Sequence, residues 1–197
     1  MTEGLHGGGA ASTWVQRWAH LVAPGGNVLD LACGQGRHMA FFAARGHGVT
    51  GVDRSPEALA VARQYGEVLQ ADIENGPWPF DEKPGADAGK ADPARLFDAV
   101  VVTNYLWRPL FPAIRQSLAI NGVLIYETFA IGNETVCKPS RPAFLLQPGE
   151  LLNAFAGLTV IAYENGFVAQ PARFVQRLVA VRAPGDEPGA EPTRYLL

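Results

Sequence analysis

Short apolar runs alternate with helical stretches along most of this chain. Val28, Leu29 and Leu31 form the first run and suit a buried strand. Gly34 and Gly36 follow, flanking Gln35, and a helical pattern runs from Arg37 to Ala44, with Gly46 as its stop. Val49 to Asp53 predicts a second strand. Ser55, Pro56 and Glu57 then read as N-cap, first helical residue and first-turn acid, opening an Ala-rich helix to Tyr65 that Gly66 ends. Val68 to Ala71 predicts the third strand and Leu96 to Thr103 the fourth, whose A-V-V-V run suits burial on both faces. Pro109 and Pro112 open another helix, and Asn121-Gly122 predicts a turn into a fifth strand, Val123 to Thr128. A helix from Pro148 through Phe155 precedes two final strands, Leu158 to Tyr163 and Phe174 to Arg182. Asn165-Gly166 predicts the turn between them, widened by Phe167 to Ala172. Near the start, Thr13 is expected to cap a helix to Val22 that carries Trp14, Val15, Trp18 and Leu21 on one side.

The regions between these elements differ in character. Residues 1–12 are Gly- and Ala-rich and are expected to be flexible, as is the Pro-, Gly- and Glu-rich tail, 183–197. Residues 74–95 read as a long loop with a mobile insertion at 85–93. Residues 129–147 form a second irregular segment, at the edge of the sheet where functional loops gather. One domain, 13–182, is expected, without repeats.

The chemistry concentrates at N-V-L-D-L-A-C-G-Q-G-R-H, residues 27–38. A strand, a glycine turn and a helix start make a place where a ligand meets bare backbone. That is the nucleotide-binding crevice of an open α/β sheet. The dinucleotide fingerprint needs a third small residue where this chain has Met39, so the fingerprint fails. Asp30, ahead of the glycines, can accept hydrogen bonds from an amine or from loop amides. Asp53 ends the second strand at the spacing from which an acid reaches ribose hydroxyls.

Asp30, Gly34 and Gly36 resemble motif I of the class I S-adenosylmethionine-dependent methyltransferases, with Ala32 where the family most often has its first glycine. The resemblance covers about Thr13 to Arg182 and implies a Rossmann-like three-layer α/β sandwich. Its mostly parallel seven-stranded sheet would have an antiparallel last strand. L-D-L-A-C-G-Q-G-R-H, Y-L-W-R-P-L and Y-E-T-F further resemble small bacterial methyltransferases of the tellurite-resistance type. The implied cofactor is S-adenosyl-L-methionine, held by Asp30, Ala32, Gly34, Gly36, Asp53, Arg54, Asp72, Ile73 and Asn104. Asp72 would meet the adenine amino group and Ile73 the ring. Trp14 and Trp18 become candidates for the acceptor pocket. Tyr105 and Arg108 leave the fourth strand where the methyl group would point and are the candidate catalytic residues. Tyr105, Glu127 and His38 are candidate bases, needed only for an acceptor that is protonated at neutral pH.

Composition narrows the remaining choices. A net charge of −3 argues against a general nucleic-acid or membrane surface. Two cysteines, Cys33 and Cys137, make neither a disulfide framework nor a zinc set, and a cytoplasmic location is expected. No metal is signalled. T-N-Y-L after the fourth strand is not the Pro-Pro-aromatic sequence that resembles amino methyltransferases of nucleic-acid bases. A small-molecule acceptor is therefore expected, with Arg108, Lys138 and Arg141 around it if it is anionic. Two other readings stand beside this one. One is a cofactor-binding regulatory protein without transferase activity. The other is a nicotinamide-dependent oxidoreductase, against which Asp30 and Met39 speak.

Overall fold

The computed structural model describes residues 9–81, 83–84, 91–185 and 193–197. Most of the expected insertion, the first eight residues and the middle of the tail lie outside the described residues. The main sheet has seven strands: β1 Asn27–Leu31, β2 Gly48–Asp53, β3 Glu67–Gln70, β4 Phe97–Thr103, β5 Leu118–Phe129, β6 Thr159–Ala169 and β7 Ala172–Val181. Their spatial order is β3-β2-β1-β4-β5-β7-β6. β3, β2, β1, β4 and β5 pair in parallel, and β7 is antiparallel to both β5 and β6. The order reverses at β1 and β4, which opens a crevice at their carboxyl ends.

Period-2 alternation divides the central strands between two cores. Leu29, Leu31, Val100, Val102, Leu124, Tyr126, Leu178 and Ala180 face one, together with Ile114 of α4 (Phe111–Gln116) and Leu151 of α5 (Glu150–Ala154). Val28, Ala99, Val101, Val123, Ile125, Val179 and Val181 face the other. There they meet Trp14 and Trp18 of α1 (Thr13–Trp18), Met39 and Phe42 of α2 (Arg37–Ala43), and Leu59 of α3 (Pro56–Ala62). The sheet is thus the middle of three layers, as the sequence pattern and family resemblance imply.

Three local expectations are corrected. Ser12 caps α1, its hydroxyl accepting from the Trp14 amide at 3.1 Å, and the helix tightens into a 3-10 turn at Ala19. Asn121-Gly122 is a bulge within β5: Phe97 pairs with Leu118, but Ala99 pairs with Val123. Asn121 takes a left-handed φ of 64°, and its amide and the Gly122 carbonyl bond Arg182, so the bend is absorbed by pairing. The last turn is Gln170-Pro171, with Ala169 opposite Ala172, while Asn165 and Gly166 pair inside the hairpin. The buried Gln176 amide decides this by donating to the Asn165 side chain at 3.2 Å and to the Gln147 carbonyl at 2.8 Å. That pairing overrides a local turn signal.

Met39 has a specific counterpart on the sheet. The third glycine of a dinucleotide fingerprint lets helix and strand approach closely. Here the small residue sits on the strand instead. A Cβ at Gly51 of β2 would collide with Met39 Sδ and lie 2.8 Å from Cys33 Sγ. Gly51→Ala should therefore destabilise the protein by about 1–3 kcal/mol. Adding Met39→Ala should make the pair less than additive in urea unfolding; full additivity would disprove the contact.

Candidate functional site

The loop after β1 is built on three left-handed residues, Ala32 (φ 53°), Gly34 (φ 53°) and Gly36 (φ 79°). Ala32 thus keeps a glycine-like conformation, at a cost of roughly 1–2 kcal/mol. Gly36 serves packing: a Cβ there would come within 2.9 Å of Ala62 Cβ on α3. The Gly34 amide donates to Asp53 Oδ2 at 2.8 Å, and the Ser55 amide donates to Asp53 Oδ1 at 2.9 Å. Asp53 therefore ties the loop to the start of α3, and each oxygen retains a lone pair for a ligand. Arg54 beside it is exposed.

Asp30 lies at the bottom of this loop, 1% exposed. Among the described residues its buried Oδ2 has no hydrogen-bond partner, and Oδ1 stands 3.8 Å from His38 Nδ1. Burial pushes its carboxyl up to about 7, against the pull of Arg37 and the Met39 amide; Asp53 adds to the rise. His38 is pushed the other way, to about 3, by burial and then by Arg37. Neutral His38 accepts the Ser12 amide at Nε2 (3.2 Å), which leaves its proton on Nδ1, facing Asp30. His38 holds the N-terminal segment in place.

The other expected cofactor residues have local partners. Asp72 is exposed and caps its own turn, accepting from the Glu74 and Asn75 amides and from the Asn75 side chain (2.9 Å). The Asn75 side chain, first among these, holds Asp72 below its ordinary carboxylate value. Ile73 packs into the first core. Asn104 follows β4 in a left-handed conformation (φ 55°), its amide donating to the Glu127 carbonyl. A cleft of about 660 Å³ lies beside β3, lined by residues from Gln70 to Asp81, and shares only Asp72 with the expected set.

Tyr105 donates its hydroxyl to Glu74 at 3.3 Å, and burial followed by the Glu74 charge raises its phenol above the ordinary value. It is held protonated at neutral pH and is not poised as a base. Arg108 grips Glu150 with Nε (2.5 Å) and Nη2 (3.0 Å) and donates to the carbonyls of Ala143 and Leu145. It pins the 129–147 segment to the exit of β4. Lys138 and Arg141 are exposed on that segment. Trp14 and Trp18 are core residues, packed edge to face at 5.6 Å.

A charged row that the sequence reading left unassembled crosses the same sheet edge. Thr103, Glu127, Arg177 and Glu164 are successive cross-strand neighbours on β4, β5, β7 and β6. Glu127 is fully buried and accepts from Arg177 Nε at 2.5 Å and from the Ser12 hydroxyl at 2.9 Å. Arg177 also donates to Glu164 at 2.8 Å. Arg37 donates to Thr103 at 3.4 Å and is influenced by Asp30, Glu127 and Arg173. The usable signal was phase: Asp30, Thr103, Glu127 and Arg177 continue the apolar rows of the second core, a placement that exposed charges avoid.

Residues 28–122, from β1 to the bulge of β5, match the family described as a methyltransferase domain. That stretch, just under half of the chain, is similar to a methyltransferase domain. The ubiquinone/menaquinone biosynthesis C-methyltransferase UbiE of Rubrivivax gelatinosus is 28% identical over 193 residues, covering 96% of this chain and 67% of that protein. The ribosomal RNA small subunit methyltransferase H of Gemmatimonas aurantiaca is 52% identical over 44 residues, 22% of this chain and 14% of that protein. This chain spans less than a third of the length of most curated relatives it matches. The crystal structure of TehB from Haemophilus influenzae shares the fold, with a TM-score of 0.69 at 16% identity over 90% of this chain and 64% of that one. No described helix is long and apolar enough to cross a membrane.

Because folding raises Asp30 from 3.8 to about 7, its contribution to stability is full below about pH 4 and is lost as pH rises through 7. His38 contributes with the opposite sign, present above its ordinary 6.5 and lost as pH falls towards 3. Asp30→Asn should raise the unfolding free energy at pH 8 by about 1–4 kcal/mol and change little at pH 4. Urea unfolding across that range checks this; parallel pH profiles for the two proteins would contradict it.

Proposed function

We propose that the crevice over β1, β2 and β4 binds S-adenosyl-L-methionine, and that the protein transfers its methyl group to a small-molecule acceptor. The observation that carries this reading is the pairing of a left-handed glycine loop with the buried, partnerless Asp30 Oδ2. An ammonium group at Asp30 would satisfy that oxygen and favour its charged form. Asp53 has a free lone pair on each oxygen for the ribose hydroxyls. Asp72, Ile73, Arg54 and Asn104 complete the proposed cofactor edge, with Asp72 already pre-shaped by its own turn.

The bound cofactor supplies a methyl group already activated on a sulfonium. The chain's task is then to orient an acceptor in line and to keep water away. Tyr105 and Arg108 act in this reading by fixing the wall of the acceptor pocket, Tyr105 through Glu74 and Arg108 through Glu150. In this reading the acceptor end lies near Ser12 and α1, which close over fully buried Glu127. Such enclosure favours a small molecule over a nucleic-acid strand. The two free cysteines, Cys33 and Cys137, suit the cytoplasm.

Calorimetry with S-adenosylhomocysteine is the direct test. Asp53→Asn should weaken binding by about tenfold or more, since hydrogen bonds to a charged group are worth roughly 1.5–3 kcal/mol. It should also lower the melting temperature, because the Gly34 and Ser55 amides lose their carboxylate. Unchanged affinity in the folded variant would remove Asp53 from the site. A second check uses Gly34→Val, which forces a branched side chain into a left-handed position; wild-type affinity in that folded protein would disprove the assigned loop. A labelled-methyl screen over small metabolites, protein and RNA then tests the acceptor class. Transfer to RNA alone would contradict the small-molecule reading.

A further inference from the structure

Arg177 and Arg173 lie four residues apart on β7 and face Glu127 on the same side of the sheet. Their situations differ. Arg177 is paired on both sides, with Glu127 and with Glu164. Arg173 is held more loosely: among the described residues its buried Nε has no hydrogen-bond partner, and its nearest terminal nitrogen makes a longer ion pair with Glu127, at 3.6 Å. Its side chain is 18% exposed, so solvent reaches only part of it. Glu127 is already taken by Arg177 and Ser12.

Arg173 and Arg177 converge on Glu127, Arg37 reaches the neighbouring Thr103, and Glu164 sits further out, nearly half exposed. Asp30, the next acid inwards, stands beneath Arg37 in the glycine loop. A buried Nε–H without an acceptor is costly unless something supplies one. The Nε and terminal N–H groups of arginine form a planar fork that matches a carboxylate in two parallel hydrogen bonds.

We propose that Arg173, backed by Arg37, is a carboxylate-recognising subsite at the acceptor end of the crevice. This rests on the methyltransferase reading given above. Two molecules can bring the carboxylate: the methyl acceptor, or the methionine end of the cofactor. Arg37 contacts Thr103 at the end of β4 and senses both Asp30 and Arg173, so it joins the glycine loop to this subsite. The acceptor class that follows from the first source is a small carboxylic acid.

The test compares wild type, Arg173→Gln and Arg173→Lys by calorimetry, with melting temperatures to confirm folding. S-adenosylhomocysteine and 5′-methylthioadenosine, which lacks the amino-acid end, are titrated first. Benzoate and its neutral counterpart benzamide are then titrated into protein saturated with S-adenosylhomocysteine. An acceptor carboxylate predicts that benzoate binds, benzamide does not, and Arg173→Gln loses at least tenfold in benzoate affinity with S-adenosylhomocysteine unchanged. A cofactor carboxylate predicts that Arg173→Gln loses at least tenfold for S-adenosylhomocysteine and nothing for 5′-methylthioadenosine. Arg173→Lys keeps the charge but not the fork and should show the same selective loss. The proposal is overturned if Arg173→Gln matches wild type for every one of these molecules. Failure of wild type to bind S-adenosylhomocysteine at all is a different result, and it defeats the methyltransferase reading instead.

Discussion

The carboxylate of Asp53 joins two pieces of backbone that the site needs in register. It receives the Gly34 amide from the loop after β1 and the Ser55 amide from the turn into α3. Charge-assisted bonds of this kind are roughly twice as strong as neutral ones. They offset the strain of a loop that holds Ala32, Gly34 and Gly36 at positive φ. Packing reinforces the same geometry, since Gly36 leaves room for Ala62 and Gly51 leaves room for Met39. The half-buried loop is therefore held in shape by the chain's own hydrogen bonds and packing.

The carboxyl edge of the sheet takes on a second burden. Apolar rows on β1, β4, β5 and β7 end there in Asp30, Thr103, Glu127 and Arg177, all on one face. Burying Glu127 is tolerable because Arg177 and Ser12 satisfy its oxygens. Asp30 lacks such help, and burial pushes its carboxyl up to about 7. A purely structural edge would end in apolar or paired groups. This edge instead holds, among the described residues, a buried Asp30 Oδ2 and a buried Arg173 Nε without hydrogen-bond partners, and both cost stability.

Much of this was legible in the sequence, and the misses have physical reasons. The strand–glycine–helix stretch was readable because β1, the loop and α2 are contiguous and their signals are local. The same holds for Ser55-Pro56-Glu57, whose cap forms as expected, with Ser55 accepting from Ala58. Asn165-Gly166 misled because a long-range contact, Gln176 to Asn165, outweighs the turn preference of two residues. Arg108 looked like a free cation because its partner, Glu150, is 42 residues away. Arg173, Arg177 and Glu127 went unassembled for a similar reason: β7 meets β5 only after the chain has passed through β6. Pairings that close over such distances leave no spacing to read.

Hydrogen exchange measured with and without S-adenosylhomocysteine tests the central claim most directly. The account predicts added protection across residues 31–37 and 53–58, at the carboxyl edge. The opposite edge, at Gly48 and at the Asn121-Gly122 bulge, should exchange as before. Protection confined to the cleft of residues 70–81, or none at the glycine loop, would contradict it.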